Sequence, residues 1–290
     1  MTEEGVIYFN INKKCLVRLL VSIYSLRRFY DGPVALLNAG GDEGIAAIIA
    51  NALNVYFDTM EVKKLRKHTA YNAKSSVWRC TPFDRTVFID ADTVVSGPIN
   101  ELFLGDAELI LTAFGEWRSN GRPYKKRCLQ WSDISCDRLN VQETVNLVIN
   151  HPYYAINTGV FRFDCEPGEQ PKFLVDWESL TNSGAGKCAF TDEVAMQLLY
   201  VAGIPEVQVV SDMWNASPIY TQHDHSDVRI WHMHGSKHVT RENGRGWQGA
   251  NIWWPLFQEV WEHNVADVRE WAPMEDKQLR RSLAWKVLNS

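Results

Sequence analysis

Two acids, Asp90 and Asp92, stand one residue apart at the end of an apolar run in "DRTVFIDADTVVSG", residues 84–97. Val87-Phe88-Ile89 reads as a strand inside a sheet, and Gly97-Pro98 marks the break after it. Burying charge is costly unless the charge is paired or holds a metal, and in open α/β sheets ligands bind at the carboxyl ends of strands. Two hard oxygen donors at such a place suit Mg²⁺ or Mn²⁺ carrying a phosphate group. Asp is also common in ordinary turns, so the pair takes its meaning from what accompanies it.

Three other groups accompany it. "AINTGVFRF" sets Asn157, Thr158 and Gly159 into an apolar strand. A buried Asn there needs partners, and Gly159 permits close approach or a bulge. "TDEVAMQ" puts Asp192 and Glu193 in the first turn of a helix, where acids also complement the helix dipole. "WHMHGSKH" brings His232 or His234 just after a strand, with Gly235 and Lys237 behind. Side-chain alternation puts both histidines on one side if the strand continues, so periodicity does not choose between them.

These groups need elements to position them. Strand 5–9 leads to a helix over 14–30, whose Leu16, Leu19, Leu20, Ile23, Leu26 and Tyr30 recur three or four apart before Asp31-Gly32-Pro33. Strand 33–37, a Gly40-Gly41 turn, helix 42–53, strand 55–58, helix 72–80 and strand 85–90 follow. This β-α-β-α-β rhythm predicts a mostly parallel sheet flanked by helices. The second half reads as strand 108–114, a polar loop over 115–133 suited to a lid or acceptor contact, helix 140–150 and strand 153–164. Then come helix 191–203, with Thr191 as N-cap and Gly203 past its end, strand 228–232, and helices 251–262 and 274–288. The expected organisation is a single α/β domain over 1–290, with a nucleotide-binding half (1–105) and an acceptor-binding half (106–290) that carries the C-terminal helices and a smaller acceptor-side subregion.

Bulk properties exclude several classes. At 290 residues and 46% hydrophobic, the chain is ordinary globular material for one large domain or two small ones. A net charge of −5 offers no basic surface for nucleic acid. No run of 18 apolar residues predicts a transmembrane segment, and the acidic "MTEEGVIYFN" does not read as a signal peptide. Six scattered cysteines without a C-x-x-C pair fit a reduced, cytoplasmic chain. Tryptophans cluster late, at Trp247, Trp253, Trp254, Trp261 and Trp271; such rings stack on sugars, but more often they pack in cores.

Taken together, the order and spacing of these groups resemble the metal-dependent GT-A glycosyltransferases, most closely family 8, which includes glycogenin and the bacterial lipooligosaccharide galactosyltransferases. The resemblance runs from Val6 to about Lys237. "IYFNINKK…VSIYSLRRF" matches the family's first strand, nucleotide-contacting loop and helix ending in Ser-Leu. "AKSSVWRCTPFDRTVFIDAD" supplies Lys74, Trp78 and Arg85 ahead of Asp90-Ala91-Asp92. Asn157-Thr158-Gly159 stands for the family's Asn-x-Gly, and Asp192 for the acid that opens the next helix, with Glu193 where the family often has Gln. His232 with Gly235 matches the late His-x-x-Gly. The chain departs from the pattern in two respects. The family's Lys comes six residues after that His, where this chain has His238 with Lys237 one early, and His234 competes with His232 as a ligand.

The resemblance implies a Rossmann-like nucleotide-diphospho-sugar transferase fold. It implies Mn²⁺, or Mg²⁺, on Asp90, Asp92 and His232, with Ala91 between the acids and Gly235 and Lys237 beside the diphosphate. Asn10 and Asn12 would meet the base or ribose, Lys74 and Asn157 the donor sugar's hydroxyls, and Asp192 the region of the reactive carbon. The implied reaction moves a hexose or similar sugar from a nucleotide-sugar, expected to be a UDP-sugar, to a sugar, glycan or protein acceptor with retention. The rivals fit less well. A haloacid-dehalogenase-type phosphatase carries its acids near the N-terminus with Thr two residues after the second, where this chain has Val94. A nucleotidyltransferase needs a Gly-rich basic loop after the first strand, and "NINKKC" has no glycine. A sugar-binding module needs no Asp-x-Asp with a distant His.

Overall fold

The computed structural model describes residues 3–12, 15–60, 69–113, 126–150, 154–166, 168–188, 190–218, 221, 223–233 and 247–275. Most of the expected loop 115–133, the tail of "HMHGSKH" with His234, Gly235 and Lys237, and nearly all of the expected helix 274–288 lie outside these residues.

Nine strands run through the described residues: β1 (Glu4–Asn10), β2 (Val34–Asn38), β3 (Tyr56–Thr59), β4 (Arg85–Ile89), β5 (Thr93–Val95), β6 (Leu109–Ala113), β7 (Ile156–Asp164), β8 (Val207–Val210) and β9 (Ile230–His232). The α-helices are α1 (Leu16–Arg27), α2 (Glu43–Ala52), α3 (Thr69–Lys74), α4 (Val141–Asn150), α5 (Lys172–Ser183), α6 (Thr191–Val201), α7 (Trp247–Glu262) and α8 (Val268–Glu275). Seven strands form one sheet in the order β3-β2-β1-β4-β7-β6-β8, while β5 and β9 pair separately. The β1–β2, β2–β3 and β6–β8 pairs are parallel, and β6–β7 is antiparallel. The α/β class and the mostly parallel sheet are as expected from the sequence.

The chain divides into two compact units, each assembled from separate stretches: 5–60, 89–101 and 213–290 in one, 1–4, 61–88 and 102–212 in the other. In the first, β1 and β2 are apolar runs buried on both faces, as parallel strands between helices must be. Asp42 caps α2 by accepting from the Ile45 N–H at 3.1 Å. Arg27, in the last turn of α1, donates to the carbonyls of Leu53 and Gly32, which ties the helix to the chain on either side of it.

In the second unit, β7 carries a bulge. Leu111 pairs with Phe161 but Thr112 pairs with Asn157, so Thr158, Gly159 and Val160 are left over. The Thr112 hydroxyl closes the gap by donating to the carbonyls of Asn157 and Val160. The core beneath is aromatic: Phe88 stacks on Phe161, which meets Trp177 edge-on.

Some boundaries differ from expectation. The helix read over 72–80 is α3 followed by one 3-10 turn, Val77–Arg79. Helix α6 is capped by Phe190 rather than Thr191, which is already helical and buried. Gly203 sits just beyond the end of α6 with φ +71, as its position suggested. Strands β5 and β8 and helices α5 and α8 had no clear period: β5 is three residues long, β8 is half exposed, and α5 starts on a proline. Among the described residues no helix is long and apolar enough to cross a membrane.

Candidate active site

The candidate residues fall into two groups, one in each unit. The first is built on the β5–β9 ladder. Strand β4 delivers Asp90, a turn carries Ala91 and Asp92, and β5 begins at Thr93. Thr93 pairs directly with His232 on β9, and the Met233 N–H donates to the Asp92 carbonyl at 2.8 Å. The ladder therefore brings a histidine 140 positions downstream beside the two acids. Helix α1 fixes the ladder from behind: Ser25 Oγ accepts the Val95 N–H at 2.9 Å, and Ser22 Oγ lies 2.7 Å from Thr93 Oγ1. Thr93 in turn donates to the Asp90 carbonyl.

His232 Nε2 lies 3.2 Å from Asp92 Oδ1 and 3.8 Å from Asp90 Oδ2, and the three ligand atoms are all within 4.8 Å of one another. The buried Asn215 Oδ1 sits 2.9 Å from His232 Nδ1, and the other ring nitrogen, Nε2, faces the carboxylates. In the tautomer that carries its proton on Nδ1, the ring donates to Asn215 and offers Nε2 as a metal ligand. Hard divalent ions bind such donors at about 2.0–2.6 Å, which places neighbouring ligands about 3–4 Å apart. Two carboxylate oxygens and one imidazole nitrogen are a donor set that fits Mn²⁺ or Mg²⁺. Arg18, from α1, lies 3.7 Å from the other oxygen of Asp92.

In the same unit, the loop after β1 is braced internally. Asn10 donates to Asn38 Oδ1 at 2.7 Å and to the Gly40 carbonyl at 3.1 Å, and its own Oδ1 accepts the Asn12 N–H at 3.4 Å. Gly40 has to be glycine, because a Cβ there would meet the Ile11 carbonyl at 2.6 Å. Asn10 is buried and Asn12 exposed, so Asn10 shapes the loop and Asn12 stands at its surface.

The second group is assembled by α3, β7 and α6. Lys74, at the end of α3, is buried and lies 3.5 Å from Asp192 Oδ2. Thr158 donates to the same oxygen at 2.7 Å. The β7 bulge makes this contact possible, since it turns Thr158 out of the alternation of the strand. Trp177 Nε1–H donates to the Asp192 carbonyl at 2.9 Å. The other carboxylate oxygen, Asp192 Oδ1, is buried and accepts no hydrogen bond among the described residues. Asn157 is engaged at both ends: its Nδ2 donates to Glu193 Oε1 at 2.7 Å, and its Oδ1 accepts the Gly159 N–H. Glu193 also meets Arg127 at 3.4 Å.

Nearby thiols are not nucleophiles. Burial pushes Cys128 up to about 12 and raises Cys188 as well, so neither is a thiolate near neutral pH. A cleft of about 950 Å³ in the same unit, lined by Arg85, Asp164, Glu169 and Lys172 among others, contains none of the candidate residues.

The expected residues thus gather as Asp90, Asp92 and His232 in one group and Lys74, Asn157 and Asp192 in the other. Gly235 and Lys237 lie outside the described residues. Sequence reasoning did not find Arg18, Arg127, Asn215 or Thr158's contact with Asp192. Arg18 hid among core-facing helix residues, and Asn215 stands in "DMWNASP", which has no motif.

The sequence matches no family model, and no curated protein matches it. Solved structures do resemble the fold. Galactosyltransferase LgtC, in complex with donor and acceptor sugar analogs, is 15% identical and aligns over 88% of this chain and 95% of its own, with a TM-score of 0.58. Glycosyltransferase GlyE of Streptococcus pneumoniae TIGR4 is 15% identical over 91% of this chain and 64% of its own, at 0.57. Mouse xyloside xylosyltransferase 1 is 11% identical over 79% of this chain and 97% of its own, at 0.53. The fold is therefore that of the GT-A glycosyltransferases, the architecture implied by the sequence resemblance.

Proposed function

We propose that this protein is a divalent-metal-dependent glycosyltransferase that takes a hexose or similar sugar from a UDP-sugar and passes it, with retention, to a sugar, glycan or protein acceptor. The observation that carries this reading is the grouping of Asp90, Asp92 and His232, whose ligand atoms all lie within 4.8 Å of one another. The likeness in fold to glycosyltransferases favours sugar transfer over phosphatase or nucleotidyl chemistry.

Asp90, Asp92 and His232 would hold Mn²⁺, or Mg²⁺. When bound, the ion supplies positive charge to a diphosphate leaving group as the sugar bond breaks. Ala91 sets the spacing between the two acids, and Gly235 and Lys237 belong to the same diphosphate by resemblance. Asn12 is assigned to the base or ribose, and Asn10 contributes through the loop it braces. Lys74 and Asn157 are assigned to donor-sugar hydroxyls, and Asp192, whose buried Oδ1 accepts no hydrogen bond among the described residues, to the region of the reactive carbon. Lys74 and the Thr158 hydroxyl both contact Asp192 Oδ2, which holds the carboxylate in one orientation.

The test is hydrolysis and transfer with UDP-glucose and UDP-galactose, with and without Mn²⁺, followed by NMR of the anomeric configuration of the product. Turnover that ignores Mn²⁺, or a product of inverted configuration, removes the corresponding part of the proposal.

A further inference from the structure

Helix α6 opens with two adjacent acids, and each faces a different cation. Asp192 faces Lys74 at 3.5 Å; Glu193 faces Arg127 at 3.4 Å. Arg127 also makes a second contact, with its guanidinium over the Phe190 ring at 4.5 Å. Phe190 caps α6 in the left-handed region, at φ 62 and ψ 48, a conformation that bulky residues rarely take. Its ring is held on another side by Tyr71 at 5.2 Å. Arg127 therefore touches the residues on both sides of Asp192: the strained cap two positions before it and the acid one position after it.

We propose that Arg127 is a positioning residue for Asp192, balancing the charge of Glu193 and pinning the left-handed cap from which α6 starts. The proposal rests on the reading of Asp192 as a donor-sugar residue. The physical need is clear. Two neighbouring carboxylates in a buried first turn repel each other unless each has its own cation. Glu193 is held by Asn157 on one oxygen and Arg127 on the other. Without Arg127, Glu193 loses the cation 3.4 Å from its Oε2, and its charge bears more strongly on Asp192 next door. Without the guanidinium on its ring, Phe190 also loses one of the contacts that hold its unfavourable backbone. Either change moves the first turn, and with it the Asp192 oxygen that accepts nothing from the described residues. Arg127 itself does not touch the reacting atoms in this scheme.

The experiment is a double-mutant cycle on the full chain with Arg127→Ala, Arg127→Lys, Glu193→Gln and Arg127→Ala/Glu193→Gln. Two readouts are taken: thermal unfolding, and Mn²⁺-dependent hydrolysis of UDP-glucose and UDP-galactose. Arg127→Ala should lower Tm by about 2–4 °C, and by clearly less when Glu193 is already Gln. Its kcat should fall about 10-fold, with the KM for donor changed little. Arg127→Ala/Glu193→Gln should recover part of that kcat, because no charge then needs balancing. Arg127→Lys should lie between, since it restores charge but not the planar stack. Additive Tm effects overturn the proposal whatever the enzyme does. Additive kcat effects, or a loss confined to KM, make Arg127 a substrate contact and overturn it too. If the wild type hydrolyses neither donor while the Tm cycle shows coupling, the charge balance stands and the functional reading of the site falls.

Discussion

The two residue groups handle negative charge in opposite ways. At Asp90, Asp92 and His232, the acids sit at a strand end, partly open to solvent, and the imidazole Nε2 faces them. At Asp192, the acid is buried, and the chain provides Lys74 and the Thr158 hydroxyl to meet it. A chain cation reaches each group, Arg18 at 3.7 Å from Asp92 and Lys74 at 3.5 Å from Asp192, but only the second pair is buried. The difference has a physical cause. A buried acid must be paired to persist, whereas a partly hydrated pair can remain poised until a metal arrives. It follows that the two groups respond differently to loss of an acid.

The largest expected effect is at the buried pair. Asp192→Ala leaves Lys74 with its charge buried, and breaking such a pair costs about 3–5 kcal/mol. Urea denaturation of the metal-free protein measures it. The same substitution at the strand end, Asp92→Ala, should leave metal-free stability within about 0.5 kcal/mol. Equal losses at the two positions would break the comparison.

Activity should invert the ranking of what each group needs. Asp92→Ala removes a ligand to the leaving-group cation, so Mn²⁺-dependent donor turnover should drop about 10²–10³-fold with the fold intact. Turnover at the wild-type rate in this variant would sink the metal reading. A smaller effect sharpens the contrast without any substrate. Mn²⁺ at 100 times its Kd should stabilise the wild type by about 2.7 kcal/mol. Asp92→Ala and His232→Ala should lose that gain, and Asp192→Ala should keep it, because its acid is not a ligand. A Mn²⁺ shift that vanishes in Asp192→Ala would mean the two groups share the ion.

The residues of the strand-end group were almost completely legible in the sequence. An apolar strand ending in Asp-x-Asp is a local pattern, and the three-residue β9 strand ending in His232 is visible as "VRIWH". It did not carry the partners. Thr158 meets Asp192 through a three-residue bulge, and a bulge looks like ordinary alternation until its register is known. Phe190 defeated the capping rule: Thr191 is a good N-cap by type, yet ring contacts from Tyr71 and Arg127 move the start of α6 one residue earlier. Asn10 shows what residue type leaves open: a polar side chain at a strand end suggests a ligand contact, and the structure adds that both its amide hydrogens go to Asn38 and Gly40. Elements α5 and β8 were missed because their identity depends on tertiary burial, which no short-range pattern records.

The smallest effect tests the finest feature of the comparison, namely that the strand-end group is tuned from behind. Asn215 is held beside β9, with Ala216 donating its N–H to the Ile230 carbonyl and accepting from the His232 N–H on its own carbonyl. Its Oδ1 lies 2.9 Å from His232 Nδ1, a contact that favours the Nδ1–H tautomer and with it a ligand lone pair on Nε2. Removing such a partner typically weakens a metal by about 10–100-fold. Asn215→Ala should fall in that range for Mn²⁺ in an EPR titration, while Asp192→Ala should bind Mn²⁺ like the wild type. Asn215→Asp keeps an acceptor in place and should retain affinity. If Asn215→Ala binds Mn²⁺ as tightly as the wild type, the ring nitrogen is not selected by Asn215 and the lone-pair convergence at His232 has another origin. If Asn215→Asp fails as badly as Asn215→Ala, the amide serves packing rather than the tautomer, and the contrast between the two groups loses its finest support.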